Sequence, residues 1–347
     1  RYADQKELNA LCEVLSKSNK MLQVVHEFFD ADVTIARVDQ LADISLRHKI
    51  PTTLSPLFVN TENDTGVKRV MERVKEQFKR GARVWPQVQT RPIDISFCFE
   101  VPSLLFIRLP SWYKIMRFGS HSEIMEEFKD ENSRAKLVKE AAMLGPFWNS
   151  ITLRQVNSEE NKEFLGMSLD EIATKRETTP VDAMIDLSLE ENLQAHFLAE
   201  NMGHTDNEMI GALMSDPHVH IGASDGGAHI LSFSTYGDTG YLFSQFVRNS
   251  QAITLEDAVK KITLDTASIW GMRERGCLKK GFLADITIFE EDRIDRGHEY
   301  YTDDVPGDGH RYIRDAIGID TVIIGGSIAY RKGAYTNAKT GNIVSVG

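Results

Sequence analysis

Along the first ninety residues, apolar positions switch repeatedly between two spacings. In "DQKELNALCEVLSKSN" (4–19), Leu8, Leu11, Cys12 and Leu15 recur at helical spacing. "KMLQVVHEF" (20–28) then reads as a short buried strand. "VDQLADISLRHK" (38–49) is helical again, and "IPTTLSPLFV" (50–59) reads extended, since two prolines bar a helix. Residues 64–80 are amphipathic and Gly81 stops them just past the last turn. "ARVWPQVQTRP" (82–92) is the next strand. Strands and helices in alternation predict a parallel sheet with crossover helices, hence an α/β sheet or barrel.

Residues 92–190 break that rhythm and read as a long insertion, the kind that builds a pocket over a scaffold. "FCFEVPSLLFIRLPSWYKIMRF" (97–118) is aromatic and interrupted by Pro110, which suggests an aromatic cluster near a pocket. "SHSE" (120–123) and "SLDE" (168–171) have the form of capping boxes. Regularity returns with a strand at "LQAHFLA" (193–199) and a short helix at "TDNEMIGALM" (205–214), with Thr205 and Glu208 as its capping box. Val219, Ile221 and Ala223 then alternate as a strand, and "TLEDAVKKITLDTASIWGM" (254–272) is a helix with Thr254 as N-cap. After Gly271 the chain turns to short strands with glycine turns. The division expected is residues 1–274 as one α/β unit and 275–347 as a small β unit.

The chain has 347 residues, 41% hydrophobic and 26% charged, the proportions of an ordinary globular protein. Its net charge of −11 argues against nucleic acid or an anionic membrane as partner. No apolar run approaches the ~20 residues that a membrane helix needs. Three scattered cysteines, Cys12, Cys98 and Cys277, suggest neither a disulfide framework nor a zinc knuckle, so a reducing cytoplasm is the expected location.

The most informative stretch is "DPHVHIGASDGGAH" (216–229). Functional groups of parallel α/β sheets and barrels sit at the C-terminal strand ends, and Asp225 follows such an end. Gly226 and Gly227 allow close backbone approach to a ligand. A carboxylate there can bind a metal or move a proton; its other reading is a turn or helix-cap Asp. His26 emerges at the tip of another apolar strand, as a zinc ligand or as an ordinary core or surface histidine. Ser224 and His229, beside Asp225, are candidates for contact with substrate. Arg91, in "QTRP" after a strand, either grips a substrate carboxylate or is a surface charge. His204 reads as structural, while His218 and His220 lie at the strand's start, the wrong end for ligands.

"IGASDGGAH", the helix at 254–272 and "RGCLKKGFLADITIFEEDRI" together resemble the metal-dependent amidohydrolase superfamily. "ASDGGAH", "PQVQTRP" and "DDVPGDGHRYIRDAIGIDTVIIGG" are most similar to its N-acyl-D-amino-acid deacylase group. "GIDTVIIGGSIAYRKGAYT" is similar to the closing hairpin of that family's β-sandwich. The resemblance implies an α/β fold, a TIM-like (β/α)8 barrel with a C-terminal β-sandwich portion. It implies one or two divalent ions, usually zinc, and hydrolysis of a small N-acylated amino acid or related amide. In it, Asp225 matches the ligand and proton shuttle after the last strand, and His26 the histidine after the fifth.

Two features depart from the pattern. Ser55-Pro56 stands where a histidine after the sixth strand is expected, and no HxH follows an earlier strand. Only four or five barrel strands are found where eight are needed. The barrel is therefore expected to be incomplete, the chain being the C-terminal part of a longer protein. Residues 1–347 alone are expected to be poorly stable and inactive. Alternatives are a non-catalytic barrel that binds a ligand, or a hydrolase of a cyclic amide; a homo-oligomer stays open.

Overall fold

The computed structural model describes residues 4–18, 20–26, 30–59, 64–222, 224, 237–307 and 309–344. The chain opens with helix α1 (Gln5–Lys17), strand β1 (Leu22–Val25), α2 (Ala31–His48), β2 (Thr52–Ser55), α3 (Asp64–Lys79) and β3 (Val84–Val88). This is the alternation expected, although α2 starts seven residues earlier than the pattern suggests. Asp30 caps it, accepting from the N–H groups of Asp32 and Val33. Gly81, at φ +89°, follows α3 in the left-handed conformation that glycine takes without strain.

A second group of elements follows: β4 (Ile95–Phe97), α4 (Pro110–Phe118), α5 (His121–Lys129), α6 (Glu131–Ala141), β5 (Thr152–Gln155), α7 (Leu169–Arg176), α8 (Pro180–Glu190) and β6 (His196–Ala199). Pro110 starts α4, where a missing N–H costs nothing. Ser120 with Glu123, and Ser168 with Glu171, form the two expected capping boxes. The strands make a separate antiparallel sheet in the order β4-β6-β5. Residues 193–199 thus belong to this insertion rather than to the barrel strands. The insertion has its own core, in which Phe97, Phe99, Phe106, Trp112, Phe128 and Trp148 pack ring against ring. These aromatics are fully buried, so they form a core and do not line a pocket.

The chain returns through α9 (Asn207–Ser215) to β7 (His220–Ile221), which lies within the strand expected around Val219, Ile221 and Ala223; Ala223 lies outside the described residues. The cap of α9 is Asp206, not Thr205: its carboxylate accepts from Met209 N–H. Helix α10 (Asp238–Tyr241) runs into π-helical turns over Leu242–Asn249. Then α11 (Leu255–Lys260), a π turn (Lys261–Asp265) and α12 (Thr266–Ile269) form the expected helix, with Thr254 capping it. The last strands are β8 (Ile286–Phe289), β9 (Asp295–Val305), β10 (Gly309–Ile317), β11 (Ile319–Ile324), β12 (Ser327–Arg331) and β13 (Ala334–Tyr335). They form an antiparallel sheet ordered β13-β12-β11-β8 and a separate β9–β10 hairpin.

The site-bearing sheet is parallel and ordered β1-β2-β3-β7. By alternation, Thr53, Trp85, Gln87 and His220 share one face, and Leu54, Val84 and Val88 the other. The apolar face packs on α2 and α3 through Val38, Leu41, Val70 and Val74, a core distinct from that of the insertion. Among the described residues the sheet does not close into a barrel; it is an open α/β sheet of four strands. Its edge strand β1 carries Val25 with 74% of its surface exposed. No helix among the described residues is long and apolar enough to cross a membrane.

Candidate functional site at the strand ends

Parallel strands put all their C-terminal ends on one rim. His26 follows β1 there, Ser55 ends β2, Gln89–Arg91 follow β3, and Gly222 and Ser224 follow β7. His26 is buried and lines a narrow cleft with Thr34, Leu57 and Phe58. Along the sheet, β1 is separated from β7 by β2 and β3. Asp225 and His229 lie outside the described residues.

Backbone bonds tie the rim together. Leu57 N–H donates to Gln87 at 2.6 Å and Gly222 N–H to Val88 at 2.9 Å. Gly222 is needed for a close approach: a Cβ there would meet Gln87 Oε1 at 2.5 Å. Gln87 is held in turn by Nε2 donating to Thr53 Oγ1 at 3.0 Å. Polar side chains thus meet on one face of the sheet, beneath the rim.

Arg91 is buried, and its guanidinium is turned to the protein. Nη2 donates to the Ser224 carbonyl at 3.0 Å, Nε to Asp238 Oδ2 at 3.3 Å and Nη1 to the Pro92 carbonyl at 3.3 Å. Thr90 Oγ1 donates to the Asp238 carbonyl at 2.7 Å and to its Oδ1 at 3.3 Å. Burial pushes the Asp238 carboxyl up and the Arg91 charge opposes this. The sequence reading missed Asp238 and Thr90. The only signal for Thr90 was a polar run, "QTR", ending an apolar strand, and Asp238 had none.

The remaining histidines have structural places. His218 Nδ1 pairs with Asp216 at 2.9 Å, and His220 Nε2 accepts from Trp270 Nε1 at 3.1 Å. His218 precedes β7 and His220 is its first residue, at the strand's start. His204 is buried and bridges two main-chain groups. Among the described residues no cluster of three or more His, Cys, Asp or Glu could hold a metal ion. His26 is thus a single donor where a zinc ion takes about four. The larger cavities lie elsewhere: one of about 800 Å³ beside α4–α6, and an apolar one of about 600 Å³ between α11 and β8. Neither is lined by the residues at these strand ends.

A profile of the amidohydrolase family matches residues 152–330, more than half of the chain. The chain belongs to the amidohydrolase family. Uncharacterized proteins of Mycobacterium bovis and Mycobacterium tuberculosis are 27% identical over 187 residues, covering 50% of this chain and 30% of each relative. Among solved structures, an N-acyl-D-glutamate deacylase from Bordetella bronchiseptica, complexed with zinc and a phosphonate inhibitor, aligns with a TM-score of 0.59 at 18% identity. A D-aminoacylase aligns with a TM-score of 0.58 at 17% identity. Each alignment covers 99% of this chain and 60% of the other. The chain therefore spans less than a third of the curated relatives' length and about three-fifths of these structures. The fold likeness accords with the α/β, TIM-like architecture expected of the sequence.

Proposed function

We propose that this protein hydrolyses the amide bond of a small N-acylated amino acid, using a divalent metal ion, zinc, held in part by His26 and Asp225. The observation that carries the reading is the shared rim: His26 follows β1 and Ser224, which precedes Asp225, follows β7, both at C-terminal strand ends. Family membership and likeness to two deacylases support it. His26 and Asp225 offer the neutral imidazole and the carboxylate oxygen that zinc accepts, two donors of the set it needs. When bound, the ion supplies a more acidic water and a polarised carbonyl.

The residues of the chain then have these roles. Asp225 takes a proton as water attacks the amide carbonyl and returns it to the leaving nitrogen. His229, four residues further, contacts the substrate. Ser224 fixes the main chain at the approach to Asp225. The test is amine release from D- and L-N-acetyl amino acids by the full-length, zinc-loaded protein. Asp225→Asn is expected to lower turnover by at least ~10²-fold; undiminished turnover overturns the role, and no hydrolysis of any N-acyl substrate overturns the reading.

A second reading is a ligand-binding relative without chemistry. One observation favours it: β2 ends in Ser55, followed by Pro56 and Leu57, so no imidazole reaches the rim from that strand. Full-length protein that binds no zinc supports this reading over the first.

A further inference from the structure

We propose that Arg91 is the positioning residue of the segment carrying Asp225, acting by holding both ends of that segment with one guanidinium. This rests on the hydrolase reading of Asp225. Its Nη2 donates to the carbonyl of Ser224, the residue before Asp225. Its Nε donates to the carboxylate of Asp238, the first residue of α10. The thirteen residues 225–237 run between these two anchors. Tying two points of the chain, Ser224 and Asp238, to one guanidinium removes freedom that otherwise opposes their fixed separation.

The anchor is itself fixed. The Arg91 carbonyl accepts from Gln89 Nε2 at 2.9 Å, and the Gln89 carbonyl from His204 Nε2 at 2.9 Å. Thr90 adds a second hold on Asp238 through its hydroxyl. The Arg91 and Asp238 side chains are only 5% and 15% exposed, so either left alone is a buried charge without its counter-ion. A planar fork reaches a carbonyl and a carboxylate in two directions, which a single ammonium does not. The fork turned inward also separates this role from grip on a substrate carboxylate. That alternative requires donors aimed into the cleft.

The experiment compares wild type, Arg91→Lys and Asp238→Asn in the full-length, metal-loaded protein. It uses an N-acetyl amino acid and an N-acetylated amine that lacks the carboxylate. Positioning predicts that both variants lose at least about tenfold in kcat on both substrates, with KM within about twofold, since small misplacements of a reacting group act on turnover. The acid limb of the pH–rate profile should move with them, because the surroundings of Asp225 change. A rise in KM confined to the carboxylate substrate, with kcat kept, overturns the proposal. Thr90→Val, which leaves the charge pair in place, replaces either variant that does not fold and should lower kcat in the same sense; unchanged kcat counts against the proposal. Should the wild type hydrolyse nothing, the hydrolase reading fails separately. The clamp is then read by proteolysis: cleavage within 225–236 should be at least about fivefold faster in Arg91→Lys, as expected when a local restraint is lost, and equal rates overturn it.

Discussion

His204 Nε2 lies 2.9 Å from the carbonyl of Gln89, while its Nδ1 accepts the N–H of Val59 at 3.1 Å. One buried ring thus joins the chain leaving β2 to the chain leaving β3, and it fixes its own tautomer: Nε2 carries the proton. The residue sits at φ +59°, a left-handed conformation that is uncommon outside glycine.

Removing that bridge strands two main-chain groups. His204→Ala is expected to destabilise the protein by about 2–4 kcal/mol, from a lost buried hydrogen-bond pair and a cavity. Urea denaturation followed by fluorescence checks it; a loss below about 1 kcal/mol contradicts the structural role.

Acid should weaken the fold through buried imidazoles. Burial pushes His196, His204 and His220 down to about 4. The unfolded chain titrates them near 6.5, so between about 4 and 6.5 it binds more protons than the folded chain. Their contribution is therefore complete above about pH 6.5 and is lost as pH falls toward 4. At pH 5, up to about 2 kcal/mol is lost per histidine relative to pH 7.5. The urea midpoint at the two pH values measures this, and His196→Phe should reduce the slope. A midpoint independent of pH contradicts it.

The β9–β10 hairpin is fastened by buried charge. Asp94 accepts from Arg296 Nη1 at 3.2 Å and from the Asn201 N–H at 3.1 Å, with Arg314 Nη2 3.7 Å away. Arg314 also reaches Glu299 at 3.4 Å. Asp94→Ala takes the buried carboxylate from Arg296 and Arg314, whose side chains are 17% and 7% exposed, and is expected to destabilise by about 3 kcal/mol. Hydrogen exchange should accelerate at residues 295–317 ahead of the rest; uniform acceleration contradicts a local fastening.

Gly222 admits no side chain without movement of Gln87. Gly222→Val is expected to cost about 1–3 kcal/mol through crowding, and to lower turnover because β7 leads to Ser224 and Asp225. Thermal unfolding together with an amide-hydrolysis assay checks both effects. Wild-type values for the variant contradict the close approach.

What the sequence disclosed was mainly local. Gly81, the Ser120–Glu123 and Ser168–Glu171 boxes and the Thr254 cap act within one helical turn, so their spacing can be read directly. Residues 193–199 show that a strand's pattern does not name its partners: β6 pairs antiparallel with β4 and β5, inside the insertion. Neighbouring candidates can also exchange roles, as when Asp206 rather than Thr205 caps α9. Of the candidate residues, His26 and Ser224 were legible as following strand ends, and they follow β1 and β7. The partnership of Arg91 with Asp238 spans 147 residues, and no periodicity encodes a contact of that separation. The attachment of the β9–β10 hairpin escaped for the same reason: Arg296 meets Asp94 across 202 residues of sequence.

Zinc content of the full-length protein, measured beside His26→Ala and Asp225→Asn after dialysis against a weak chelator, tests the shared rim most directly. The account predicts at least about one zinc per wild-type chain, and retention in each variant reduced by at least about tenfold. Zinc held equally well by wild type and both variants would contradict it.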